Sequence, residues 1–305
     1  MMNITPDQIV DRIKLKRQLI NWRLIAIITI CMLIVSLFAT NDFEAHKPII
    51  ENDYIARIFV DGMIVHDPDR LDILKDISKN PAIKALVIHI DSSGGTVVGG
   101  ESLYNGIRKI SSSKPVVAVM GDTAASAAYM AAIACDYLVA HQGTLTGSIG
   151  VLSQSFEVTE LAHKVGVKFN SFKSSPLKGG PMPTEEVTPE MRAAMNATIV
   201  DIYNMFFDMV AERRSSIARE NLVHIADGRV YTGRQAVENG LVDAIGDEDT
   251  ALAWLKDVKK IDSSLKVRDI QLVPQQSKWR KFFDTSARVL AFIDNSIKGG
   301  IFSFL

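Results

Sequence analysis

The chain has 305 residues, 47% of them hydrophobic, and 34 basic side chains against 35 acidic ones, for a net charge of −1. That balance lacks the basic surplus of a nucleic-acid surface, so no nucleic-acid partner is expected. The apolar content suffices for a large core in one or two domains. The two cysteines, Cys31 in an apolar run and Cys135 in a stretch of small residues, suggest neither a disulfide nor a metal site, and no C-x-x-C or H-E-x-x-H spacing occurs.

Residues 1–23 form a basic leader with Arg12, Lys14, Lys16, Arg17 and Arg23. The next stretch, "LIAIITICMLIVSLFAT" (residues 24–40), carries no charge. As a helix it would span roughly 25 Å, at the short end for a bilayer crossing. The basic flank predicts an anchor with its N-terminus in the cytoplasm and the remaining chain across the lipid. A cleaved signal peptide competes with this reading, but the Ala-x-Ala signature is missing near Ala39. Residues 41–53 are polar and read as a linker.

A compact domain is expected over residues 54–260. "YIARIFVDGMIV" (Tyr54 to Val65) predicts a strand with a turn at Asp61-Gly62. "DPDRLDILKDISKN" predicts a helix with Leu71, Leu74 and Ile77 on one face. "IKALVIHIDSS" and "KPVVAVMGD" are continuous apolar runs, as in strands buried on both faces. Between them "GGESLYNGIRKI" reads as a helix, and the small-residue stretch "GDTAASAAYMAAIACD" gives another. Strands alternating with helices predict an α/β fold with a parallel sheet. "TGSIGVLSQSFEV" and "VKFNSFK" suggest two further strands. A long helix follows, with Thr188 as N-cap, Pro189 in its first turn, and an apolar stripe of Met191, Met195, Ile199, Ile202, Phe206 and Met209 that reads as core or subunit contact. "YTGRQAVENGLVDAIG" predicts helix, tight turn at Asn239-Gly240 and short strand, and "EDTALAWLKDV" a last helix. Residues 261–305 form a C-terminal arm. Trp279, Phe282, Phe283, Val289, Leu290, Phe292 and Ile293 give it amphipathic character, suited to packing on the domain, on another subunit or on a membrane surface.

Ser126 stands alone as a hydroxyl among alanines. A serine reacts only when a base takes its proton. His89 lies inside a buried run and reads as core, His163 and His224 read as surface residues, and His141 ends a strand and stays open as a base. A neutral lysine can serve instead if burial depresses its pKa. "FKSSPLKGGPMP" offers Lys173 and Lys178. An oxyanion also needs donors. "DSSGGTVVGGE" puts Gly94 and Gly95 after a buried strand, where ligands bind in open α/β sheets, and the Ala127 amide starts a helix beside Ser126. A phosphate loop is a poor reading of these glycines, because G-x-x-x-x-G-K-[ST] is absent.

Four blocks in order, "DSSGGTVVGGESLY", "KPVVAVMGDTAASAAYMAAIACDYLVAHQGTLTGSIGV", "FKSSPLKGG" and "DGRVYTGRQAVENGLVDAIG", resemble the short, single-domain form of the signal peptide peptidase A (protease IV) family. The resemblance spans about Tyr54 to Leu255. It implies a Clp/crotonase-like spiral of ββα units behind the N-terminal transmembrane helix, and a Ser–Lys dyad that needs no metal or cofactor. It implies Ser126 as nucleophile, Lys178 as general base with Lys173 non-catalytic, Gly95 and Ala127 as the oxyanion hole, and Ser148 as a support for the lysine. It further implies a homo-oligomeric ring whose dyad is shared between protomers, a bacterial inner-membrane location with the catalytic domain outside the cytoplasm, and remnant signal peptides as substrates. Two positions depart from the family pattern. Ser93 stands where a proline is usual, which loosens the glycine loop. Ala127 and Ala128 replace two glycines, which should narrow the space beside Ser126. A tethered scaffold without turnover and a crotonase-type acyl-CoA enzyme are the competing classes on this scaffold.

Overall fold

The computed structural model describes residues 52–272 and, ahead of them, positions 14–16, 19, 22, 23, 25–27 and 29. The chain divides into two units, residues 1–51 and 52–305. In the first, the described positions are helical and exposed. Most of the expected anchor (24–40), most of the linker (41–53) and residues 273–305 of the C-terminal arm lie outside the described residues. Among the described residues, no helix is long and apolar enough to cross a membrane.

The second unit is α/β. Its strands are β1 (Tyr54–Ile64), β2 (Ile83–Gly95), β3 (Val116–Ala125), β4 (Tyr137–Ala140), β5 (Leu145–Gly147), β6 (Val230–Thr232), β7 (Ala244–Ile245) and β8 (Lys266–Asp269). They make one mixed sheet in the order β6-β5-β3-β2-β1-β8, with β4 pairing β3 and β7. The pairs are parallel except β5 with β6. The helices are α1 (Pro68–Lys79), α2 (Val97–Ser111), α3 (Ala127–Ile133), α4 (Thr159–Lys164), α5 (Pro189–Arg213), α6 (Arg219–Ile225), α7 (Gly233–Glu238) and α8 (Glu248–Asp257).

The unbroken apolar runs of β2 and β3 follow from burial on both faces. Leu86, Ile88 and Ile90 point into a large core with Leu74, Leu103, Ile107, Tyr129 and Phe206. Ala85, Val87, Val117 and Val119 point the other way, onto Ala251 and Leu255 of α8. Caps set the helix starts: Asp67 accepts from the Arg70 N–H and Thr188 from the Met191 N–H, each with a proline in the first turn. β3 changes partner along its length. Val117–Met120 pair β4, and Thr123–Ala125 pair β5. The sheet therefore parts where β3 ends, which leaves room for a site.

Two expectations change. β1 runs through Asp61-Gly62 without turning. Gly62 takes a φ of +69°, and the β1–β2 register shifts between Asp61 and Met63, so the glycine absorbs an irregularity within one strand. Of the strand expected over 146–158 only Thr146 and Gly147 are in a strand, as the end of β5, and the strand expected over 167–173 is absent. Beyond β5 the chain is irregular up to α4, and residues 167–173 form no ladder. Their apolar residues have nothing to pair with in a single chain: Leu152 is 84% and Phe172 98% exposed.

The free edge of β1 is closed by β8 and a polar cluster. Arg57 donates to Asp269 (2.6 Å) and to Glu248 (3.0 Å), and His89 Nε2 lies 2.5 Å from Glu248. His89 also stacks on Phe59. It is thus a partnered structural histidine, as its place in a buried run suggests. The hydrogen bond from Arg57 holds the Asp269 carboxyl below the usual carboxylate range. A carboxylate held low contributes stability above its unfolded pKa of about 4 and loses it as pH falls through the folded value. Asp269→Asn should therefore lower the melting temperature at neutral pH, and the difference from wild type should vanish in acid. Thermal unfolding against pH measures both.

Candidate active site

β3 delivers Ser126 to a corner. Ala125 is the last strand residue, Ala127 the first of α3, and Ser126 between them has φ 56° and ψ −123°. A non-glycine residue there carries about 1–3 kcal/mol of strain, which persists only if the surroundings hold it. The Ser126 N–H donates to the Gly147 carbonyl at 2.9 Å, one step beyond the β3–β5 ladder, and the Ser126 carbonyl accepts from the Met130 N–H at 2.9 Å to open the helix. The Ser126 hydroxyl makes no capping bond to α3, although serine is a favoured capping residue. The corner is set by backbone alone, and the side chain is left for other use.

α3 is buried over its whole length. Its far end is clamped by two arginines. Arg213 donates to the carbonyls of Ile133 and Cys135 at 2.9 Å each, and Arg108 to that of Ala134 at 3.3 Å. These fill carbonyls that a helix end leaves without partners. The Tyr129 hydroxyl donates to the Leu241 carbonyl at 2.8 Å, and burial pushes its pKa up to about 12.

Ser126 opens onto a cavity of about 460 Å³ lined also by Gly94, Gly95, Ala127 and Gly150. Gly94 has φ +117°, and a Cβ there would lie 2.8 Å from the Ser126 Cβ and 3.2 Å from the Ala127 nitrogen. At Gly95 a Cβ would fall 1.9 Å from the Ile64 carbonyl oxygen. These two positions admit only glycine because backbone approaches backbone. The Thr96 N–H donates to Ile64 at 2.8 Å. Successive amides of a strand alternate in direction, so the Gly95 N–H points to the other side of β2, past the last β2–β3 pair of Ser92 with Ala124. The Ala127 N–H is among the first amides of α3, which have no intrahelical acceptor.

The apolar wall comes from Met63, Val97, Met130, Leu152, Ile202 and Phe206. Ile202 and Phe206 belong to the stripe on α5. Their periodicity signals burial, and no local pattern distinguishes a residue facing core from one facing a cavity. Of the two alanines, only Ala127 lines the cavity. Ala128 is fully buried, and the Ala127 methyl seats on Gly100 of α2, where a Cβ would lie 2.9 Å from it.

The structure thus gathers Ser126, Gly95 and Ala127. Ser148, with φ 50°, follows Gly147, and its N–H donates to the Arg229 carbonyl at 2.8 Å. It adjoins the residue that holds Ser126 but does not line the cavity. Lys178 is exposed in the irregular segment before α5 and is not part of the lining. Lys173 is ion-paired to Glu185, whose carboxyl is held below its usual range by that hydrogen bond. His141 is exposed and outside the lining.

A serine on a strained strand-to-helix corner, lining an apolar cleft together with a glycine loop and a helix start, is the arrangement of a serine peptidase. The sequence pattern described as Peptidase family S49 matches residues 108–262, and the chain belongs to that family. A protein from Synechocystis sp. named as a protease is 38% identical over 210 residues, covering 68% of this chain and 75% of the relative. Protease 4 of Salmonella typhi is 32% identical over 230 residues, which cover 72% of this chain but 37% of that longer protein. The chloroplastic serine protease SPPA of Arabidopsis thaliana is 30% identical, with 75% of this chain and 34% of the relative covered. Among solved structures, a membrane-bound stomatin-specific protease resembles the chain with a TM-score of 0.45 at 15% identity, over 72% of this chain and 98% of that one. ClpP1 from Listeria monocytogenes does so with 0.39 at 16% identity, over 63% and 91%.

The strained corner makes a stability prediction. Glycine accepts a positive φ that alanine resists, so Ser126→Gly should be more stable than Ser126→Ala by about 1 kcal/mol. Chemical denaturation of the two variants measures the difference. Equal stabilities would mean that the corner relaxes without cost.

Proposed function

We propose that this serine peptidase works with a Ser126–Lys178 dyad on remnant signal peptides or other small membrane-associated peptides. In this reading residues 24–40 anchor it in the inner membrane, with the N-terminus cytoplasmic and the catalytic domain outside the cytoplasm. The observation that carries the reading is the Ser126 corner: a strained, uncapped serine at the mouth of a cavity, with the amides of Gly95 and Ala127 beside it.

The neutral Lys178 amine takes the Ser126 proton as Oγ attacks the peptide carbonyl carbon. The Gly95 and Ala127 N–H groups donate to the oxyanion that forms. The protonated amine then gives its proton to the leaving nitrogen as the peptide bond breaks. Water, deprotonated by the same amine, attacks the acyl-enzyme and releases Ser126. Ser148 positions the lysine. The apolar wall of the cavity suits substrates with apolar side chains, as membrane-derived peptides have.

The dyad is proposed to form between protomers of a ring. Supporting this, Lys178 lies outside the lining of the cavity that holds Ser126, and the segment carrying it exposes Phe169, Phe172 and Leu177, as the segment before α4 exposes Leu152 and Phe156. Large apolar side chains left in solvent mark contact surfaces.

The test uses the full chain in detergent with a fluorogenic peptide. Ser126→Ala and Lys178→Ala should each lower kcat/KM by about 1,000-fold or more while leaving the oligomer mass unchanged. Co-assembly of the two inactive variants in equal amounts should restore about a quarter of wild-type turnover, because a shared site then pairs an intact serine with an intact lysine from its neighbour. No recovery would place both groups in one protomer, and full activity of Lys178→Ala would remove the lysine from the mechanism.

A further inference from the structure

The sheet loses its regular ladder on both sides of Ser92. Between the pairs Asp61–Asp91 and Met63–Gly94, β2 holds one residue more than β1. Between the pairs Ile90–Met120 and Ser92–Ala124, β3 holds two more than β2. A bulged backbone leaves amides and carbonyls that no neighbouring strand can pair. Ser92 lies in this gap with only 3% of its surface exposed. Its hydroxyl accepts the Gly94 N–H at 3.1 Å and donates to the Gly62 carbonyl. On the β1 side this one buried side chain thus stands in for missing ladder bonds, and both of its partners are glycines with positive φ, +117° and +69°, while on the β3 side the Thr123 N–H donates to Asp91 at 3.0 Å.

The consequence reaches the nucleophile. Gly94 is the residue packed against the Ser126 Cβ and the Ala127 nitrogen, and Gly95 is the next amide along. Whatever fixes Gly94 fixes the height of that amide above Ser126. Ser93 itself is exposed and contributes only to the cavity rim. With serine at that position, the loop lacks a ring to fix its φ. The restraint falls to the hydroxyl one residue earlier.

We infer that Ser92 is a positioning residue of the oxyanion loop: by bridging Gly94 and Gly62 it aims the Gly95 N–H at the developing oxyanion. The inference rests on the peptidase reading above. Ser92 lies outside the lining of the cavity that holds Ser126. Its removal therefore affects the transition state more than the bound peptide.

The test compares wild type, Ser92→Ala, Ser92→Thr and Ser126→Ala as full chains in detergent. A misplaced donor should lower kcat in Ser92→Ala roughly 10- to 100-fold. KM should stay within about threefold of wild type, since ground-state binding is untouched. Affinity for a peptide boronate, whose tetrahedral adduct occupies the oxyanion hole, should fall in parallel with kcat, while affinity for the product peptide should not. Ser92→Thr keeps the hydroxyl and should keep most of kcat. If Ser92→Ala does not fold, Ser92→Cys, similar in size and weaker in hydrogen bonding, takes its place in the same comparison. Wild-type kcat in the folded variant overturns the inference, as does an equal loss of boronate and product affinity. Active wild type with inactive Ser126→Ala and unaffected Ser92→Ala overturns this inference alone. Wild type with no turnover that Ser126→Ala abolishes overturns the peptidase reading and this one together.

Discussion

The site depends on a backbone that is bent where it would rather not be. At Ser126 the chain must leave a buried parallel strand and enter a buried helix within one residue, and the only way through is a positive φ. Nothing local stabilises that conformation. It is imposed from outside, by the Gly147 carbonyl on one side and the first helical bond to Met130 on the other. Each neighbour of the corner is shaped by this requirement. Gly147 takes a positive φ to present its carbonyl, and Gly94 lacks a side chain because Ser126 occupies the space.

The strain is offset where the chain is most rigid. α3 is too short to be stable by itself, since helices below about 12–15 residues are marginal in water. It persists because its whole surface is buried and its last carbonyls are taken by Arg213 and Arg108. Its small residues serve this packing. The alanines let α2 approach closely enough for Gly100 to meet Ala127. The bareness of the stretch around Ser126 thus reflects tight packing of helix on helix, with the corner at Ser126 fixed as a result.

Much of the scaffold was legible in sequence because each signal was local. Continuous apolar runs gave β2 and β3, and Thr188 marked a helix start that its hydrogen bond bears out. What was not legible depended on distant partners. The stretches 146–158 and 167–173 read as strands, yet a strand needs a neighbour to take its backbone bonds, and beyond Gly147 none is present in one chain. Gly62 read as a turn because glycine signals both turns and bulges. In the site, residue types alone left Lys173 and Lys178 equal. Resemblance chose between them, and the pairing of Lys173 with Glu185 supplies a physical reason against Lys173. Ser92 offered no sequence signal, because its role arises only where two register shifts meet.

The position of Lys178 bears on how such a dyad is switched on. A lysine serves as base only when stripped of water, because burial is what disfavours its charged form. The described unit of this chain leaves Lys178 exposed, so its own fold does not provide that burial. Near it in sequence the chain exposes Phe169, Phe172 and Leu177, apolar surface whose burial is favourable. In the proposed ring, the contact that covers these side chains is also the one that dehydrates the amine. Apolar burial on assembly then offsets the cost of neutralising the base. Hydrolysis would be confined to the assembled state, and a newly made protomer would carry a formed oxyanion loop and a strained serine without a base to activate it.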